Sequence, residues 1–189
     1  LRGGRSFPVR PSGLSLDRGY LAGMDLSGRV LEGANLEEAR LDRAPLKEAN
    51  LAGARLGRAG LDSADLTGAN LAGADLEEAS LRETGLEHAN LEEARLSGTD
   101  LRPARLRGAR LARCILRRSV LASIDLTDAD LTGAMLAEAD LREARLIRAK
   151  LVSADLTSAD LAGADLTDAN RARADLSHVR RERTRLARV

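Results

Sequence analysis

Leucine recurs at every fifth position from Leu16 to Leu166, thirty-one times in succession and without an insertion. A small residue stands two places before most of these leucines. From Ala34 to Ala174 it is alanine except at Thr84, Thr99, Cys114, Ser119 and Ile124. The unit reads Ala-(Asp/Asn/Arg)-Leu-x-x, as in Ala69-Asn70-Leu71-Ala72-Gly73. No regular helix or strand accommodates a period of five. On an α-helix, successive leucines advance by about 500° and smear around the cylinder. On an extended strand, a step of five puts successive leucines on opposite faces. Every leucine shares one core only if the chain bends once per unit and coils about an axis, so that its neighbours in space are the coils before and after it. That is a solenoid.

Tandem Ala-(Asp/Asn)-Leu-x-x over residues 14–170 resembles the pentapeptide-repeat proteins. The resemblance implies an all-β fold: a right-handed quadrilateral parallel β-helix with four pentapeptides per coil, roughly eight coils here. It also implies that the register leucine and the small residue point inward. Leu71, Leu91, Leu111 and Leu131 are then members of one core column. Composition agrees with an interior of leucine and alanine, since the chain has one Tyr, one Phe and no Trp.

The ends depart from the repeat. Residues 1–13 lack the register and are rich in Gly, Pro and Arg, which predicts an irregular tail or cap. Gly19, Met24 and Arg29 fill the small-residue position in the first units, and Arg171 and Arg181 fill register positions in the last. A guanidinium has no place unpaired among leucines, so the regular core is expected to end near residue 170. Residues 171–189 read equally well as a last, frayed coil or as a basic capping helix, with Leu176, Val179, Leu186 and Val189 on a narrow stripe. An end cap of either kind offers a route to oligomers.

Net charge is +1, unevenly distributed. Residues 17–100 carry −8, residues 101–120 carry seven arginines and no acid, residues 121–170 carry −6, and residues 171–189 carry +5. At twenty residues per coil, Arg102, Arg105, Arg107, Arg110, Arg113, Arg117 and Arg118 belt a single coil. One reading of that belt is a site for nucleic acid or another anion. The other is pairing between coils, with Arg105 meeting Asp125, Arg107 Glu87, Arg110 Asp130, Arg113 Glu93 and Arg118 Glu138. The second is preferred, because the belt spreads over four faces and has no aromatic residues on which bases stack.

Candidate partner-binding residues are therefore the carboxylates: Glu77, Glu78, Glu92 and Glu93, with the cluster Asp125, Asp128 and Asp130. Asn50, Asn70 and Asn90 align at the same interval. They read as a hydrogen-bonding ladder, or as a flat neutral strip that seats a partner.

Signals for chemistry are missing from the sequence. His88 and His178 stand ninety residues apart with no metal-ligand spacing, and Cys114 occupies an inward position. No phosphate-binding glycine loop, nucleophile elbow or zinc-protease motif occurs. No catalytic residue, cofactor or metal is expected. One cysteine excludes an internal disulfide, no apolar run reaches membrane-spanning length, and no secretory signal pattern is present, which together predict a cytoplasmic protein. The expected function is non-enzymatic binding of a macromolecule, a protein rather than nucleic acid or a membrane. The resemblance supplies a specific candidate, since several members of the family modulate or protect DNA gyrase and other type II topoisomerases by imitating duplex DNA, some conferring resistance to quinolones. The alternative is a structural scaffold or spacer for protein–protein interaction, within a longer chain.

Overall fold

A computed structural model describes residues 14–186. The expected N-terminal tail, residues 1–13, and the last register residue, Val189, lie outside the described residues. Each pentapeptide makes one turn, and each except the one that begins at Asp25 has one bridging residue. The bridges are parallel and join residue i to residue i+20, from Ser15↔Asn35 through Asn50↔Asn70↔Asn90 to Asp160↔Arg180. One circuit thus takes twenty residues and four turns. We number the sides from the first described circuit: side one holds residues 15–19, side two 20–24, side three 25–29 and side four 30–34. Each side continues at steps of twenty.

Extended strands are almost absent. Among the described residues only β1 (Asp165–Leu166) and β2 (Arg185–Leu186) are strands, two residues each, paired in parallel. All other pairings are single-residue bridges. The chain turns too often for a strand to lengthen, so the sheet character lies in the stacking of coils.

The unit Asn70-Leu71-Ala72-Gly73-Ala74 shows why these residue types are needed, because each of its five N–H groups finds an acceptor. Asn70 donates down to the Ala49 carbonyl at 2.9 Å, and Leu71 and Gly73 donate up to Asn90 and Glu92 at 2.7 and 2.8 Å. Ala74 closes the turn on Leu71 at 3.0 Å. The remaining donor, the N–H of Ala72, is taken by the Asn70 side-chain oxygen at 3.3 Å. Asp75, Asn90, Asp130 and Asp160 do the same for the residue two places on. The Asp or Asn before each leucine is therefore an Asx cap on the turn.

The second turn residue has positive φ. Twenty-three non-glycine residues and ten glycines adopt it, at φ 54° to 73°, as the third position of a type II turn requires. Pro103 is the exception, because its ring fixes φ negative. Around it the ladder opens. Pro103 has no N–H for the Ala122 carbonyl, and the N–H groups of Glu83, Asp100 and Asp125 make none of the inter-coil bonds their counterparts make.

The interior is solid. Every register leucine from Leu31 to Leu166 and every small residue from Ala34 to Ala164 is buried. Leu71, Leu91, Leu111 and Leu131 stack in one column at 0 to 1% exposure. The inward hydroxyls and thiol among the leucines are satisfied: the Thr84 hydroxyl donates to the Leu61 carbonyl at 3.0 Å, Thr99 and Ser119 both donate to Leu96 at 2.7 Å, and the Cys114 thiol donates to Leu91 at 3.2 Å. Where alanine stands at the inward position the turn bond is generally 2.9–3.1 Å; at Thr84, Thr99, Ser119 and Ile124 it lengthens to 3.2–3.3 Å. Alanine is thus the size that lets the turn close.

Residues 171–186 continue the same register, through Lys150↔Asn170, Asp155↔Asp175 and the β1–β2 pairing, and contain no helix. Burial declines there: Leu176 is half-buried and Leu186 is 45% exposed. Arg171 and Arg181 occupy two of the inward positions there.

Candidate interaction surface

With the interior filled, only the outward residues are available to a partner. Three outward positions per side, the bridging residue and the two turn residues, form columns running the length of the rod. Their charges pair in three patterns. Residues twenty apart pair along a column, as in Arg113–Glu93 at 2.8 Å and Arg118–Glu138 at 2.9 Å. Residues eighteen apart pair diagonally, as in Arg55–Glu37 at 2.5 Å and Arg95–Glu77 at 2.7 Å. Residues two apart pair within a turn, as in Arg102–Asp100 at 2.8 Å and Arg142–Asp140 at 2.7 Å.

The diagonal pattern corrects part of the expected pairing of the arginine belt. Arg113 and Arg118 meet the acids expected of them, but Arg105 turns from Asp125 to Glu87 at 2.6 Å, and Arg110 turns from Asp130 to Glu92 at 2.5 Å. Arg107 makes no ion pair to Glu87, and Arg102 binds Asp100 within its own turn. The cause is reach. A bridging arginine and the turn residue eighteen back project on the same side, at the diagonal spacing that long side chains span.

The seven candidate carboxylates do not form one face. Glu77 and Glu78 are on side one, Glu92, Glu93 and Asp130 on side four, and Asp125 and Asp128 on side three. Six of them are matched by a base: Glu77 by Arg95, Glu78 by Arg58, Glu92 by Arg110, Glu93 by Arg113, Asp128 by Arg148 and Asp130 by Lys150. The Arg148 guanidinium, in a two-bond contact at 2.7 Å, holds the Asp128 carboxyl below its ordinary pKa against the opposing effect of desolvation. Asp125 alone has no ion pair among the described residues. The arginine belt spreads over all four sides, as its spacing implies.

The asparagine ladder is formed. The Asn70 amide donates to Asn50 and the Asn90 amide to Asn70, both at 3.1 Å, while the Asn50 amide donates to Glu32 at 3.3 Å. These donors are committed between coils, and the strip beside them is built of Ala52, Gly53, Ala72 and Gly73. His88 lies across Gly108, where a β-carbon would meet its Nδ1 at 2.7 Å. Burial pushes the Cys114 thiol up to about 12. Among the described residues, no three metal-binding side chains come together. Sorting the sequence by position within the twenty-residue circuit, rather than by segment, is the signal that places every outward charge on its side.

The comparisons with known proteins agree with this geometry. The description "Pentapeptide repeats (8 copies)" matches residues 20–58, 44–82, 59–98, 79–118, 124–161 and 144–180. The chain belongs to the pentapeptide-repeat family. Among solved structures, HetL of the cyanobacterium Nostoc sp. strain PCC 7120, a pentapeptide-repeat protein involved in heterocyst differentiation regulation, is similar at 32% identity and TM-score 0.65, over 89% of this chain and 84% of that one. The pentapeptide-repeat protein Rfr23 of the cyanobacterium Cyanothece 51142 is similar at 25% identity and TM-score 0.58, over 59% of this chain and 90% of that one. QnrB1, a plasmid-mediated fluoroquinolone resistance protein, shares the fold at 19% identity and TM-score 0.72, over 90% of this chain and 89% of that one. No curated protein matches the sequence.

Proposed function

We propose that this pentapeptide-repeat protein is a non-enzymatic binding rod, a right-handed four-sided solenoid of roughly eight coils that serves as a cytoplasmic scaffold for protein partners. The observation that carries this reading is the division of roles along the chain. Inward positions are given over to leucine and small residues, so outward side chains alone remain for recognition. The partner class follows from the charges. Outside the arginine belt acids outnumber bases over residues 17–100 and 121–170, so a phosphate backbone meets repulsion over most of the rod, and Tyr20 is the one aromatic residue among those described. A protein surface of matching charge suits such a rod better. Similarity to HetL supports a regulatory role of this kind.

A second reading is modulation of DNA gyrase or another type II topoisomerase by DNA mimicry. The excess of acids in residues 17–100 supports it. The matching of Glu77, Glu78, Glu92 and Glu93 by arginines weakens it. Affinity capture from the native host tests the first reading, using the wild-type chain beside variants with Glu77, Glu78, Glu92 and Glu93 changed to Lys. A partner that binds the wild type and is lost with the variants supports an outward-face interaction. A gyrase supercoiling assay with and without a quinolone tests the second. Inhibition, or rescue from drug-induced cleavage, at micromolar protein favours mimicry, and no effect at tens of micromolar removes it.

A further inference from the structure

Side three carries a charge pattern that the pairing within the chain does not use up. Successive levels, one coil apart, alternate in sign. Arg105 and Arg107 are followed by Asp125 and Asp128, then by Arg145 and Arg148, then by Asp165 and Asp168, and finally by Arg185. Glu87 extends the alternation one level the other way. Sides one and four also alternate over part of their length, but there the charges are consumed internally. On side four Glu92, Glu93 and Asp130 hold Arg110, Arg113 and Lys150. On side three one charge per level is left over. Arg105, Asp128, Arg148 and Asp165 have internal ion pairs, whereas Arg107, Asp125, Arg145 and Asp168 have none among the described residues. Arg107, Arg145 and Asp168 are exposed, and Asp125 is half-buried.

We propose that side three is a homotypic docking surface, on which a second copy of this chain packs antiparallel. The pattern is self-complementary under one operation. Consider a two-fold axis that lies across the side, between the Asp125 and Arg145 levels. It brings two rods face to face, reverses the order of coils and leaves each residue's position across the side unchanged. Asp125 then faces Arg145 of the second copy, Asp128 faces Arg148, Arg105 faces Asp165, and Arg107 faces Asp168 one position over. Glu87 and Arg185 fall on the same level at the rim, two positions apart across the side. Every level meets its opposite sign, and the four charges without internal partners meet each other.

The centre of the contact has a different character. At the axis Thr127, buried with its hydroxyl unpartnered, faces the half-buried Ile147 of the second copy. Uncharged residues therefore lie at the middle and charges around them, the usual arrangement of an interface. An isologous contact of this kind closes at two copies.

The alternation also fixes the register. With coils about 4.8 Å apart, the sign repeats every ~10 Å, so a slip of one coil turns each attraction into a repulsion. A parallel pairing of the same sides sets like charge against like at every level. The contact is small and rimmed by exposed charge, so the dimer is expected to be weak, of order 10–100 μM at low ionic strength. It is also expected to dissolve in salt, since the Debye length falls from roughly 20 Å to about 4 Å between 0.02 and 0.5 M. This proposal does not depend on which heterologous partner the rod binds.

Sedimentation velocity on the full chain tests it. The wild type should dimerise in about 0.02 M salt and become monomeric in about 0.5 M. Asp125→Lys and Arg145→Glu should each weaken self-association at least about tenfold, by setting like charges opposite one another. Mixing the two variants in equal amounts should restore a dimer, because Lys at 125 in one chain then faces Glu at 145 in the other, while Arg145 of the first still faces Asp125 of the second. Arg107→Glu mixed with Asp168→Arg should behave in the same way, which guards against misfolding of either first variant, and circular dichroism checks the fold of all four. A wild type that stays monomeric at about 500 μM in 0.02 M salt overturns the proposal. So does a dimer that the four substitutions leave unchanged, or a pair of variants that fails to associate on mixing.

Discussion

Replacing Leu91 by Ala, beside a control at its neighbour Glu92, measures how far the inward and outward positions differ. Leu91 has 0% exposure and lies in one column with Leu71 below and Leu111 above. The substitution removes three carbon atoms from a filled interior, and the coils on either side are held by their own hydrogen bonds, so the site cannot collapse. Buried Leu→Ala changes of this kind cost about 2–5 kcal/mol. A value near 3 kcal/mol lowers the melting temperature of a chain of this size by roughly 6–12 °C, if it unfolds as one unit. Glu92→Ala removes an exposed ion pair to Arg110, worth under about 1 kcal/mol. Urea denaturation followed by circular dichroism gives both values. The reasoning fails if Leu91→Ala costs less than about 0.5 kcal/mol, or if the two variants are equally destabilised.

Other consequences are open to direct measurement. Pro103→Asn supplies the missing N–H and a residue that tolerates positive φ, so stability should rise by about 1 kcal/mol, and the Glu83 amide should become slower to exchange; an unchanged Glu83 amide contradicts the account of the broken ladder. Gly108→Ala should destabilise by about 1 kcal/mol or more, and His88→Ala should relieve part of that cost in a double-mutant cycle, with strict additivity the opposing result. Cys114 should resist thiol reagents until the rod unfolds. Because burial raises its pKa in the fold, the neutral thiol is favoured there, and its contribution to stability is lost as pH rises above the unfolded value of ~8.5 towards about 12. Hydrogen bonds from Arg102 and Arg142 lower the pKa of Asp100 and Asp140 in the fold. Their contribution is therefore present above the unfolded value of ~3.9 and lost as pH falls below it; a melting temperature unchanged between pH 6 and pH 3 runs against this.

The interval of the leucines was enough to expect a coil, and the inward alanines follow from its narrowness. The asparagine ladder and the Arg113–Glu93 and Arg118–Glu138 pairs were legible too, because they depend only on which residue lies one circuit away. What spacing alone hides is side-chain reach: Arg105 and Arg110 take acids eighteen residues back because their side chains cross the step between columns. The turn conformation had a signal in the sequence, although an indirect one. At the second turn position no β-branched residue occurs, while Thr67, Thr127, Ile147 and Val152 stand at the first, which is the exclusion that positive φ imposes. The leftover charges of side three were harder to see. Their alternation shows on sorting by circuit, but which members remain unpaired depends on the choices made by neighbouring arginines. Nor could residues 171–186 be settled from sequence, because Arg171 and Arg181 break the pattern that the backbone continues.

Disulfide trapping tests the twenty-residue circuit most directly. In a Cys114→Ala background, Asn70→Cys and Asn90→Cys place two thiols on bridged residues one coil apart, about 5 Å between α-carbons and within disulfide range. Asn70→Cys with Gly85→Cys places them three units apart, on different sides. The account predicts near-complete intramolecular oxidation of the first pair and none of the second, read by non-reducing electrophoresis and mass spectrometry. Equal oxidation of the two pairs, or oxidation of the second alone, would contradict it.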